Sequence, residues 1–303
     1  MKKILLTLAC VFGMSTVASA LTSSAVLLQH NGNITTYAAE DIAKAMAAAA
    51  DGDEVFLNEG IYPGFTISSA IKIKGMGEMT IIDGDIVIQN TNESKIGSIY
   101  IGYVDVKGNL KGLSEIGKLI LSQCKMYEYK QDGAIVDDVY IDRCNMKILL
   151  SNNYGNNINK LLVKNSIIGS TGYYDTSYTT YPSFTFVNCD LSVEMARGFA
   201  VINSILRVQY WIKDSEFINT ATKYISSENK YTGCYDELLD YSKMTQDDII
   251  ANGHVGNDGT AIGPLGGTTP FTLVPTVPRV TESSLKVDPQ KKELNVTVTV
   301  TPK

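Results

Sequence analysis

The chain is poor in several residue types on which familiar chemistries depend. It has two histidines, His30 and His254, so histidine-based catalysis and His-ligated zinc find little support. Five cysteines in 303 residues are far below the density of a disulfide scaffold. Beyond residue 20 no stretch reaches the ~18 consecutive apolar residues of a membrane-spanning helix. Basic residues are outnumbered, 26 Lys and Arg against 32 Asp and Glu, which makes nucleic acid an improbable partner. Proline is nearly missing until late: six of the eight prolines, Pro264, Pro270, Pro275, Pro278, Pro289 and Pro302, lie in the last 40 residues.

The two ends differ from what lies between. Lys2 and Lys3, an apolar run from Ile4 to Phe12, Gly13 and the small residues Ala18-Ser19-Ala20 predict a secretory signal over residues 1–20. Its removal takes two lysines and shifts the formal charge from −6 to −8. The expected localisation is secreted, in the periplasm or at the cell surface, with a chain that does not span the membrane.

Between the ends runs a repeat. Around Cys144, apolar residues stand five and three positions before (Val139, Ile141) and two after (Met146). The same spacing recurs around Gly60, Gly84, Val104, Cys124, Ser166, Cys189, Ser204 and Ser215. A period near 20 marks a solenoid, in which each coil buries its apolar face on its neighbours. Inward residues of one strand fall at every second position, so the step of three up to the central residue requires a corner. There only Gly, Cys, Ser or a slim Val fits between adjacent coils. Cys144 is therefore expected as a buried packing residue, and a disulfide to Cys124 on the next coil is conceivable but not required.

The leucine-rich repeat shares this signature, but Gly84 and Val104 cannot supply its asparagine ladder, and the aliphatic residues are mixed and β-branched. The stretch "AAEDIAKAMAAAADGDEVFLNEGIYPGFTISSAIKIKGMGEMTIIDG" resembles the opening of right-handed parallel β-helix proteins, the pectate-lyase-like superfamily, in which a helix caps the first coil. "GNDGTAIGPLGGTTPFTLVPTVPRV" resembles the closing segment of secreted β-helix proteins from Gram-negative gut bacteria. The resemblance implies an all-β fold: a right-handed parallel β-helix over residues 21–262 with a capping helix near 38–50. Residues 263–303 follow as a proline-rich strap and a C-terminal hairpin turning at Asp288-Pro289. The segment 234–250 is expected to close the far end as a helix.

Outward rows follow from the same period. Four before the centre stand Phe56, Thr80, Tyr100, Ile120, Tyr140, Leu162, Thr185, Ala200 and Trp211; one before it come Tyr103, Gln123, Arg143 and several asparagines. Aromatic faces beside polar side chains suit sugar rings, and Tyr100, Tyr103, Asp105, Lys125, Tyr140 and Arg143 form the best cluster, although sheet surfaces attract tyrosine and charge in any case. Tyr173, Tyr174, Tyr178 and Tyr181 make a second tyrosine-rich patch. The expected function is non-catalytic binding of a polysaccharide or a cell-surface partner, with no cofactor and no metal. The alternative is a polysaccharide lyase or hydrolase on an acidic polysaccharide. The resemblance would then require Lys125 or Arg143 as base, with calcium held by acids such as Asp83, Asp85 and Asp105. The paired aspartates and the Q-D and R-x-P-x-x-R patterns of such enzymes do not occur at matching places. Asp51/Asp53, Asp137/Asp138 and Asp247/Asp248 read as turn and cap residues.

Overall fold

The computed structural model describes residues 24–92, 94–132, 134–149, 157–171, 183–274, 279–288 and 293–301. The signal segment and the 170–184 tyrosine patch, except for residues 170, 171, 183 and 184, lie outside the described residues. The chain divides into two units, residues 1–273 and 274–303.

The first unit is a parallel β-solenoid of about seven turns. Its coils contribute strands to two sheets, a long one of twelve strands and a short one of eight. Each coil runs up a long-sheet strand such as Val136–Asp142, turns a corner, and enters a short-sheet strand such as Asn145–Leu149. The parallel register is direct: Tyr140 faces Ile120 and Leu162, and Asn145 faces Lys125 and Ile167. Inward residues Ile99/Ile101, Leu119/Leu121, Val139/Ile141 and Leu161/Val163 stack into one buried core. Burying each such side chain contributes about 1.5–3 kcal/mol, offset by the ordering of the chain.

The N-terminal end is closed by an antiparallel pair, β1 (Ala25–His30) and β2 (Asn33–Ala38), with β1 also antiparallel to Glu54–Leu57. A 3-10 turn at Ala39–Asp41 and the α-helix Ile42–Ala48 follow, within the predicted cap, and Ile42, Ala45 and Met46 are buried. At the other end only Gln246–Ala251 is α-helical, opened by a capping box between Thr245 and Asp248. The expected helix over 234–250 is thus cut to its last turns. Cys234 instead belongs to a final, short coil, because Tyr235 pairs with Ala221.

The register corrects the repeat at two places. Gly60 pairs with Thr80, and Ile81 with Asp105, so Thr80 rather than Gly84 occupies the corner of the second coil. Thr80, expected on the surface, is fully buried. Met79, which mimicked an inward residue, is 40% exposed. Likewise Ala221 pairs with Ile205, so Thr220 rather than Ser215 follows Ser204. Ser215 lies after Ile205–Lys213, where the chain returns to the long sheet, which puts it in the same coil as Ser204. The corner column is therefore Gly60, Thr80, Val104, Cys124, Cys144, Ser166, Cys189, Ser204, Thr220 and Cys234.

That column carries hydrogen-bond chemistry as well as shape. The side chains of Cys124, Cys144, Ser166, Cys189, Ser204, Thr220 and Cys234 each donate to the carbonyl two residues back. Several also accept from the coil before: Cys124 N–H donates to Cys144 Sγ, Cys144 N–H to Ser166 Oγ, and Cys189 N–H to Ser204 Oγ. A small side chain that both donates and accepts is what this site requires. The four described cysteines are free thiols, and burial pushes Cys144 well up and Cys189 up to about 12.

From Val104 to Thr220 the residue before each corner is left-handed: Tyr103, Gln123, Arg143, Asn165, Asn188, Asn203 and Asn219 have φ of 60, 51, 52, 47, 53, 49 and 46°. Asparagine tolerates this conformation because its short side chain bonds locally; tyrosine, glutamine and arginine hold it at higher cost.

The second unit is an antiparallel pair, Arg279–Asp288 with Glu293–Thr301, in the register Leu285 to Val296 and Val287 to Leu294.

Candidate functional site

The residues singled out from sequence are divided by the corner. Tyr100 and Tyr140 lie on the outer face of the long sheet, two strands apart with Ile120 between them. Burial, then the nearby Tyr103, pushes the Tyr100 phenol up. Its ring folds over Gly102, where a Cβ would come within 2.5 Å of the hydroxyl. Tyr103 and Arg143 form part of the left-handed row. Arg143 Nε donates to Asp142 Oδ2 at 2.8 Å.

Asp105 and Lys125 begin short-sheet strands past the corner. Asp105 is only 4% exposed and lies 2.7 Å from Lys107 Nζ and 3.8 Å from Lys125 Nζ. Lys125 also reaches Glu78 at 3.0 Å, and the Glu78 and Asp105 carboxylates hold its amine above its ordinary pKa. Such an ammonium keeps its proton, the opposite of what a general base requires. Asp85 is tied to Lys111 and to the Asn109 N–H, which hold its carboxyl below the ordinary range. Among the described residues no cluster of three potential metal ligands occurs. The histidines are paired with acids: His30 Nδ1 with Asp53 at 2.8 Å, and His254 Nε2 with Glu237 at 2.7 Å.

The left-handed row is not open surface. Gln123, Asn165, Asn188 and Asn203 are 5% exposed or less, because the segment 254–272 runs along them as a strap. Asn203 Nδ2 donates to Asn257 Oδ1 at 2.8 Å, and the Gly263 N–H to the Asn203 carbonyl at 2.7 Å. Farther along, Asn165 Nδ2 donates to the Gly266 carbonyl at 2.7 Å and Gln123 Nε2 to the Thr272 carbonyl at 3.1 Å. The row expected to flank a ligand thus holds the chain's own proline- and glycine-rich segment.

What remains open is the outer face of the long sheet around Tyr140. A cleft of about 180 Å³ is lined there by Lys118, Asp138, Val139, Tyr140, Lys160 and Leu162. Burial, then the Asp142 carboxylate, pushes the Tyr140 phenol up. Several lysines elsewhere on the coils are matched, Lys72 and Lys74 with Glu54, Lys95 with Asp137, Lys111 with Asp85 and Lys213 with Glu228, while Lys147 lies over the Tyr127 ring at 4.8 Å. Among the described residues no carboxylate lies within 4 Å of Lys118, Lys160 or Lys164. Lys118, Asp138 and Lys160 share one column, six positions before the corner, which a scan of the repeat extended by one position would have exposed.

A larger hollow of about 500 Å³ lies where coils return to the long sheet, lined by Gln89, Asn90, Ser94, Leu113, Ser114 and Glu115 among others. It has no aromatic wall, and Asn90 is committed to Ser94 and Ser114.

No protein-family model, curated protein or solved structure matches the chain. Among the described residues no helix is long and apolar enough to cross a membrane.

Proposed function

We propose that this chain is an exported, non-catalytic right-handed β-helix of the pectate-lyase-like kind, and that the outer face of its long sheet binds a glycan of a cell surface. One observation carries the reading: the Tyr140 ring borders a cleft that Lys118 and Lys160 line on either side of Asp138, and among the described residues neither ammonium has a carboxylate within 4 Å. A sugar ring offers apolar C–H faces to an aromatic side chain and hydroxyl or carboxylate edges to charged groups. The rigid sheet presents them at strand spacing, ~4.8 Å per coil, so an extended polysaccharide along the solenoid axis meets one coil after another. Against the lyase alternative stands the protonated Lys125 between two carboxylates, and Arg143 held by Asp142.

The test is affinity electrophoresis of the folded chain against neutral and acidic polysaccharides, with Tyr140→Ala alongside. Retardation by at least one polysaccharide is expected, weakened roughly tenfold in the variant, in line with the 1–2 kcal/mol of an aromatic contact. No retardation by any of them sinks the proposal. Release of unsaturated uronates, followed by ultraviolet absorbance with and without calcium, would put the lyase alternative in its place.

A further inference from the structure

The edges of the sheets point to a second interaction, independent of the glycan face. A sheet edge offers unpaired N–H and C=O groups, and proteins guard such edges with charge, proline or short strands. Three of the solenoid's four edges are guarded in this way. The short sheet ends on Gly60–Ile67, which contains Pro63, and on Ile205–Lys213, which contains Arg207 and Lys213. At the C-terminal end of the long sheet, Lys230–Thr232 is three residues long and led by a lysine. The fourth edge is β2, "NITTYA", six residues with no charge and no proline.

Its free groups can be identified. Asn31 and Gly32, with φ of 48 and 81°, form the two-residue turn of the β1–β2 hairpin, in which the closing pair His30 and Asn33 is hydrogen-bonded. Bonding alternates along an antiparallel pair, so Thr35 and Tyr37 also bond to β1, while the N–H and C=O groups of Ile34, Thr36 and Ala38 face outward. The other side of β1 agrees, since Ala25 exchanges its bonds with Asn58 and leaves Val26, Leu28 and His30 for β2.

One other strand in the described chain has this character. In the C-terminal hairpin, Arg279–Asp288 carries Arg279, Glu282, Lys286 and Asp288, whereas its partner reads "ELNVTVTVT", uncharged after Glu293. A two-stranded hairpin is marginal alone and gains from a third strand. Neither strand has a charge that would repel the other, and both are rich in β-branched residues, which favour pairing.

We infer that β2 of one molecule is extended by the Glu293–Thr301 strand of a second copy, by strand addition at the open edge. Donor and acceptor are different surfaces, so association propagates head to tail unless two copies exchange hairpins.

Light scattering with size exclusion on the full chain tests this over a concentration series. The wild type should gain mass with concentration. Thr36→Pro removes one outward N–H and leaves the β1 bonds intact, since proline is tolerated on an edge strand. It should keep the wild-type circular dichroism and melting while associating at least tenfold more weakly. Thr297→Lys with Thr299→Lys, which guards the donor strand in the separate C-terminal unit, should do the same. That pair decides the matter alone if Thr36→Pro misfolds. Single-copy mass for the wild type at every concentration overturns the inference, as does undiminished association of the lysine variant. So does a well-folded Thr36→Pro protein that associates like wild type.

Discussion

Substituting Cys144 isolates the corner chemistry. Its thiol is fully buried, donates to the Asp142 carbonyl at 3.4 Å and accepts the Cys124 N–H at 3.4 Å, while its own N–H donates to Ser166 Oγ at 3.0 Å. Serine keeps both roles, and the hydroxyls of Ser166 and Ser204 already fill them at neighbouring corners. Cys144→Ser should therefore stay within about 1 kcal/mol of wild type, the size of one typical hydrogen bond. Cys144→Ala leaves the buried Cys124 N–H without its acceptor and opens a small void, and should cost about 2–4 kcal/mol. Cys144→Leu overfills a site wedged between Cys124 and Ser166 and should cost about 1–3 kcal/mol or more. Urea unfolding followed by circular dichroism, with midpoint shifts converted through the slope, gives the ranking Ser, then Ala and Leu well below it. Equal losses for Ser and Ala would refute the hydrogen-bond account and leave only volume. A wild-type midpoint that falls on adding reductant would refute the free-thiol assignment.

Two further outcomes follow from contacts elsewhere. Asn203→Ala loses the bonds to Asn257 and Asn219 and places a Cβ residue without a polar side chain at φ 49°; about 2–4 kcal/mol should be lost, with faster proteolysis within 254–272, whereas Asn203→Gly relieves the backbone and isolates the strap contact. Tyr62, buried and donating to the Ala25 carbonyl, has its phenol raised from 10.0 to about 12 by burial, so its contribution is complete below pH 10 and fades as pH rises toward 12; midpoints measured across that window should fall in the wild type and fall less in Tyr62→Phe.

The coil period was legible because inward and corner positions are both constrained, the first by burial and the second by the narrow gap at the bend. The central coils from Val104 to Cys189 follow it without exception. It failed where geometry let other residues imitate it. Val104 comes three positions after Ile101, but the corresponding Thr80 comes seven after Ile73, and a 3-10 turn at Gly77–Met79 fills the difference. Met79 and Ile81, apolar yet not inward, then completed a false match around Gly84. Ser215 misled for a different reason. It does corner chemistry at the opposite bend, donating to the Lys213 carbonyl and accepting the Phe199 N–H, so its surroundings resemble those of Ser204.

The surface was less legible, and the cause is range. Whether Gln123 or Asn165 faces water depends on partners 149 and 101 residues away, and nothing local in "LSQC" or "VKNS" announces them. Lysine pairing has the same origin: Lys125 and Lys118 stand on the same coil, seven residues apart, yet one lies between Glu78 and Asp105 and the other has no carboxylate within 4 Å among the described residues. A solenoid sharpens this division. Each coil must match its neighbours inside and at the corners, so those positions repeat and can be read. Outward positions need only avoid disturbing the stack, which leaves them free to vary from coil to coil. A binding face on such a protein is therefore to be sought where outward chemistry stays unpaired although partners were available, and the column of Lys118, Asp138 and Lys160 beside Tyr140 meets that condition.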